Sequence, residues 1–219
     1  MAYPGRNVFL RMAAAILMMP MAAVAVAQMQ MEMQPHSSQM QQHVQRIRGE
    51  IVSLTDQTLT VHRVSGDTVA IQLAPTVPLS AVRKMSLADI KPGSFVGTAA
   101  TTDTQGRLTA QEVVVFPESA RGTGEGHYAW DLGAHSTMTN ANVDAIVDST
   151  NGMNLKLSYK GGKKDVTVPP NVPVVTFVPA TAADLSKGKK VFVVATADGP
   201  NRFVAQRVVV EKDGVVPPM

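Results

Sequence analysis

From Arg46 onward the chain is a succession of short apolar-alternating runs broken by turn formers. RIRGEIVSL, QTLTVHRV and DTVAIQL are the first three, and in the last Val69, Ile71 and Leu73 alternate with Ala70 and Gln72. A period of two puts every second side chain on one face, so each run predicts a strand with one buried side. Asp56-Gln57 and Ser65-Gly66 fall between the runs, where glycine and short polar side chains permit tight reversals. SLADIKPG, residues 86 to 93, breaks the alternation. Ser86 caps a predicted short helix, Asp89 lies in its first turn against the positive end of the dipole, and Pro92-Gly93 stops it. SFVGTAAT and GRLTAQEVVVF then supply two more strands.

The second half repeats this programme. Pro75 to Pro78 (PTVP) reappears as Pro170 to Pro173 (PNVP), Asp89 and Gly93 as Asp184 and Gly188, and GRLTAQEVVV as NRFVAQRVVV, all at an offset of 95. A constant offset over that span indicates a tandem duplication. GEIVSL and ANVDAIV align at a slightly smaller offset, which places a small insertion near residues 149 to 154. Each copy thus predicts strand, strand, strand, short helix, strand, strand, the order of an OB-type barrel. The expectation is an all-β fold of two tandem five-stranded OB-like barrels, each with a short helix between its third and fourth strands. They would occupy residues 45–118 and 138–212, with a connector at 119–137 and a tail at 213–219.

The pattern before Arg46 is different. Arg6 and Arg11 precede an apolar run from Met12 to Val26, and Ala25-Val26-Ala27 is a small-x-small cleavage signature. The run is shorter than the ~20 residues of a spanning helix, and Pro20 interrupts it. Residues 1–27 therefore predict an N-terminal signal helix removed before Gln28, a periplasmic or secreted protein, and no transmembrane span in the mature chain. Residues 28–44, QMQMEMQPHSSQMQQHV, hold no aromatic residue and predict a disordered tether.

Charge changes little. Removing the signal takes two of the 20 lysines and arginines and none of the 17 acids, leaving 18 − 17 = +1. Nucleic acid, which needs clustered positive charge, is not an expected partner. The absence of cysteine excludes a disulfide framework and a thiolate metal site.

GEIVSLTDQTLTV, the PTVP turn, SLADIKPGSFVGTA and GRLTAQEVVVFPE together resemble an exported bacterial family of domains of unknown function, with OB-like β-barrels often in tandem. The connector FPESARGTGEGHYAWDLGAHSTMTNANV resembles that of a two-repeat subgroup, some members of which carry the label metal transport permease. The resemblance covers nearly all the mature chain and implies fold and export, but no catalytic or binding residues. The permease label is set aside because the sequence shows no spanning helix to form a channel or carrier.

OB barrels bind along strands two and three, which points to Thr58, Thr60 and His62 with Arg107 and, in the second copy, Arg202. No aromatic platform accompanies them in the first copy, so base stacking is not expected. The densest ionisable cluster is in the connector: Glu125, His127, Asp131 and His135. Two imidazoles and a carboxylate suit zinc, and the tether's Met29, Met31, Met33, His36 and His43 suit copper. Tyr128, Trp130 and Leu132 alternate, and their apolar area favours a clasp docked between the barrels. The sequence thus predicts a non-enzymatic binding or assembly module without cofactor, whose partner is an envelope protein or polymer. Copper or zinc handling is the alternative.

Overall fold

The computed structural model describes residues 44–150 and 152–218. The predicted signal segment and the tether as far as His43, including Met29, Met31, Met33, His36 and His43, lie outside the described residues. Six strands come from the first copy: β1 (Val44–Thr55), β2 (Thr58–Arg63), β3 (Thr68–Gln72), β4 (Leu79–Lys84), β5 (Phe95–Thr102) and β6 (Leu108–Val115). The connector adds β7 (Gly126–Ala129). The second copy gives β8 (Ser136–Ser149), β9 (Gly152–Tyr159), β10 (Gly162–Val168), β11 (Val174–Pro179), β12 (Lys190–Ala197) and β13 (Arg202–Val210). The fold is all-β, and among the described residues no helix is long and apolar enough to cross a membrane.

The alternation predicts the buried faces well. Leu59, Val61, Val69 and Ile71 are at most 1 % exposed, while Thr58, Thr60 and Ala70 between them are half-buried. Each such aliphatic side chain contributes roughly 1.5–3 kcal/mol by leaving water. The predicted short helices are single 3-10 turns at Leu87–Asp89 and Ala182–Asp184. Ser86 caps the first as expected, accepting the Ala88 N–H at 3.3 Å and donating its own N–H to Asp89 Oδ2 at 2.8 Å; in the second the Thr181 N–H donates to Asp184 Oδ2 at 2.9 Å. The sequence pattern misses one strand per copy, β4 and β11, which precede these turns.

The main departure from expectation is in the pairing. β1, β2 and β3 close into a five-stranded barrel with β12 and β13, and β3 meets β13 in parallel. β8, β9 and β10 close in the same way with β5 and β6. Each barrel therefore takes three strands from one copy and two from the other. The strands of 45–118 and 138–212 are thus shared between the barrels, and the described residues make one compact unit. Because the two copies carry the same apolar pattern, the last strand pair of either copy can complete either barrel. β4 and β11 decide the outcome by carrying the chain across.

These two strands pair antiparallel with each other, and each pairs in parallel with the last strand of the opposite copy, giving a bridge β6-β11-β4-β13. Val82 sits directly opposite Phe177, its own repeat equivalent 95 residues on. Only a local two-fold axis passing through that pair puts equivalent residues face to face, so the contact is isologous within a single chain. The PTVP and PNVP segments feed the crossing. Proline cannot donate to a ladder, and here Pro78 and Pro173 accept instead, from the Val208 and Val113 N–H groups, each at 3.0 Å. Bulges recur at equivalent places, Ala99/Ala100 with Val194/Ala195, and Ile51/Ser53 with Val143/Ala145. The last pair lies 92 apart, the smaller offset read from the sequence.

Candidate functional site

The connector is a docked hairpin. β7 pairs with the first half of β8, and the Trp130 N–H closes the loop on the Ser136 carbonyl at 2.8 Å. Arg121 anchors the entry, donating to Asn142 Oδ1 at 2.6 Å and to the Gly93 carbonyl at 2.9 Å. β7 thus belongs to the second barrel, while the residues just beyond it reach the first. The Arg46 guanidinium of β1 lies 3.9 Å over the Trp130 ring, and Asp131 receives two bonds from Arg48, at 2.8 and 3.0 Å. Tyr128 packs beside Trp130 at 6.1 Å between ring centroids. Leu132 is half-buried in the loop.

The four ionisable residues of the connector are not brought together. Glu125 accepts the Lys160 backbone N–H at 2.9 Å, at the turn between β9 and β10. His127 Nδ1 is 2.9 Å from Thr139 Oγ1, and its ring stacks on Tyr159. Burial, then Lys164, holds the His127 pKa below the usual imidazole value. Asp131 is held by Arg48, and His135 is exposed in the loop at φ 61°. Burial works against the Asp131 charge, but the bonds from Arg48 and the attraction of Arg46 keep its carboxyl below the usual range. No group of three or more metal-ligating side chains forms among the described residues. Only His127 of the four lies on β7; Glu125 precedes the strand, and Asp131 and His135 lie in the loop beyond it, which spreads residues that looked clustered in one dimension.

The strand exchange also divides the predicted OB face. Thr58, Thr60 and His62 lie on β2 of the first barrel, and Arg202 joins them because β13 pairs with β3 there, Arg202 opposite Ala70. Arg107 goes with β6 to the second barrel, beside Lys163, Lys164 and Asp165. A cavity of about 480 Å3 adjoins the first-barrel face between Arg48, His62 and Lys190. Its charges are matched within the protein: Lys190 with Glu50 at 2.8 Å, Arg48 with Asp131, and Arg63 with Asp67.

A second cavity, about 370 Å3, is the groove between the barrels beneath the connector. Phe192 and Val194 come from the first barrel, Val114 and Met138 from the second, and Tyr128 and Trp130 from the connector. Among the described residues its charged walls are Arg46 and Arg207, and no carboxylate lines it. Arg207 makes no ion pair among the described residues. Tyr128 lies near both arginines, and burial raises its pKa against their opposing pull. Two buried polar atoms in the walls have no partner among the described residues: the Trp130 Nε1–H and Asn140 Oδ1. Asn140 uses its other amide atom, donating to the Thr123 carbonyl at 3.0 Å and to the Tyr128 hydroxyl at 3.3 Å.

Two differences between the copies create this groove. Gly97 stands where the second copy has Phe192, so one wall lacks a side chain; a Cβ there would lie 2.7 Å from Asn140 Oδ1. Glu112 stands where the second copy has Arg207. Glu112 is 4 % exposed, its Oε1 has no protein partner, and burial pushes its carboxyl up to about 8. Attraction to Arg48 opposes that shift, and repulsion from Asp131 adds to it. At neutral pH Glu112 therefore keeps its proton, and the seam retains the positive charge of its arginines. Sequence reasoning passed over Gly97, Glu112, Asn140, Phe192 and Arg207. The usable signal was the pair of reversals, in size and in charge, at equivalent repeat positions.

Comparison with family models, with curated proteins and with solved structures gives no match.

Proposed function

We propose that the chain is an exported, non-enzymatic module of the cell envelope, built as two OB-like barrels, that binds an envelope component through its inter-barrel groove. The OB-like reading is supported by the order of strands around each ring: 1-2-3-5-4 when β13 and β12 count as fifth and fourth. The observation that carries the binding reading is the groove itself. It is concave, apolar for most of its wall, and polar at a few convergent groups, the general character of a ligand site. The non-enzymatic reading draws on the connector, where Glu125, His127 and Asp131 are each held by a different partner and the Ser136 hydroxyl is directed at the Trp130 and Gly133 carbonyls. The alternative, copper or zinc handling, rests on the tether methionines and histidines, outside the described residues.

Site-directed photocrosslinking in envelope extract tests this reading. A crosslinker at Met138 in the groove wall should capture the partner, and one at Thr60 on the outer face of the first barrel should not. Capture from Thr60 alone would move the binding surface to the barrel face.

A further inference from the structure

The groove has a chemical bias beyond its shape, and we infer that it takes a small anionic amphiphile, an oxyanion on an apolar body. This rests on the groove being the binding surface. The apolar half of the argument is the wall. Phe192, Val114, Val194, Met138 and Trp130 surround a volume of about 370 Å3, near the lower end of the ~300–1,000 Å3 typical of small-molecule sites. The anionic half is the set of donors. Arg46 and Arg207 supply guanidinium groups, which carry only donors, and the Trp130 indole N–H is a buried donor with no protein partner. Arg207 has no acidic partner among the described residues, and Arg46 spends its flat face on the Trp130 ring.

The neighbouring groups do not cancel this charge. Asp131 is bonded in bidentate fashion to Arg48, and Glu112, buried at the same seam, is protonated at neutral pH. A cationic ligand would meet two guanidiniums and, among the described residues, no carboxylate. A neutral one would leave Arg207 without a counter-charge. The larger cavity near Lys190 lacks this bias because its charges are already paired.

The test uses the full mature chain and three decyl probes below their micellar concentrations: decanoate, decan-1-ol and decyltrimethylammonium. Binding is read by calorimetry and by the emission of Trp130, the single tryptophan of the chain. Decanoate should bind at least tenfold more tightly than decanol, and decyltrimethylammonium should not bind. Arg207→Met and Arg207→Gln, each checked for folding by circular dichroism, should weaken decanoate at least tenfold and leave decanol unchanged. Decanol binding as tightly as decanoate, or decanoate indifferent to both Arg207 variants, overturns the anionic preference but leaves the groove as a site. If none of the three binds the folded protein, the groove reading and the ligand class fall together.

Discussion

Glu112 and Arg207 occupy one position of a duplicated sequence and carry opposite chemistry. Arg207 faces the groove, whereas Glu112 is enclosed at the seam with its pKa pushed to about 8. The sign of its effect on stability follows from where each state holds the proton. The unfolded chain releases it near the ordinary value of 4.5, whereas the folded chain keeps it until about pH 8. Between those values the unfolded state binds fewer protons, so stability falls as pH rises through the window and levels off above it. Glu112→Gln removes this dependence. At pH 7 the variant is expected to be more stable than wild type by up to about 3 kcal/mol, an upper limit set by the interval between the unfolded value of 4.5 and pH 7. Denaturant unfolding of both proteins from pH 4.5 to 8.5 checks it, and parallel pH profiles would refute the buried-acid account.

At the scale of elements, the connector hairpin behaves as a structural part with its own geometry. Its strand extends the β8 side of the second barrel, and its loop delivers Trp130 and Asp131 to β1 of the first. Trp130→Ala should cost about 2 kcal/mol, less than the ~3–5 kcal/mol of a fully buried aromatic because the ring is only half-buried. The relative placement of the barrels should not change, since the bridge β6-β11-β4-β13 holds them through backbone hydrogen bonds. A small-angle scattering profile that expands on this substitution would mean that the clasp, not the bridge, sets the orientation. The alternation of Tyr128, Trp130 and Leu132 led to the expectation of a clasp, and the strand that carries Tyr128 was not foreseen. Nor was the target of Trp130, because Arg46 is far away in sequence and reaches it only across the folded seam.

For the whole molecule, exchange of strands makes the two copies interdependent. Residues 44–118 contain β1 to β6 but lack the β12 and β13 that close their barrel. That fragment is expected to be unfolded or to dimerise by reciprocal exchange across β4, and not to form a folded monomer. Analytical ultracentrifugation with circular dichroism distinguishes these, and a folded monomer would argue that the copies can close on themselves. The intact chain should unfold in one calorimetric transition, because the bridge β6-β11-β4-β13 ties a strand of each barrel into one continuous hydrogen-bonded ladder.

By itself the sequence determined the all-β class, the repeat pattern with its offsets, the turn capped by Ser86 and the inward faces. All of these depend on local alternation and turn chemistry, which act over a few residues. Tertiary structure alone decided which copy completes which barrel, where Arg107 and Arg202 part company, and that Gly97, Phe192, Arg46 and Arg207 enclose one groove. The physical reason is degeneracy. Two copies with the same apolar period offer the same edge to either partner, so the pattern is satisfied equally well with or without exchange. The choice rests on β4 and β11, strands whose pairing across the local two-fold exists only once both copies are folded together.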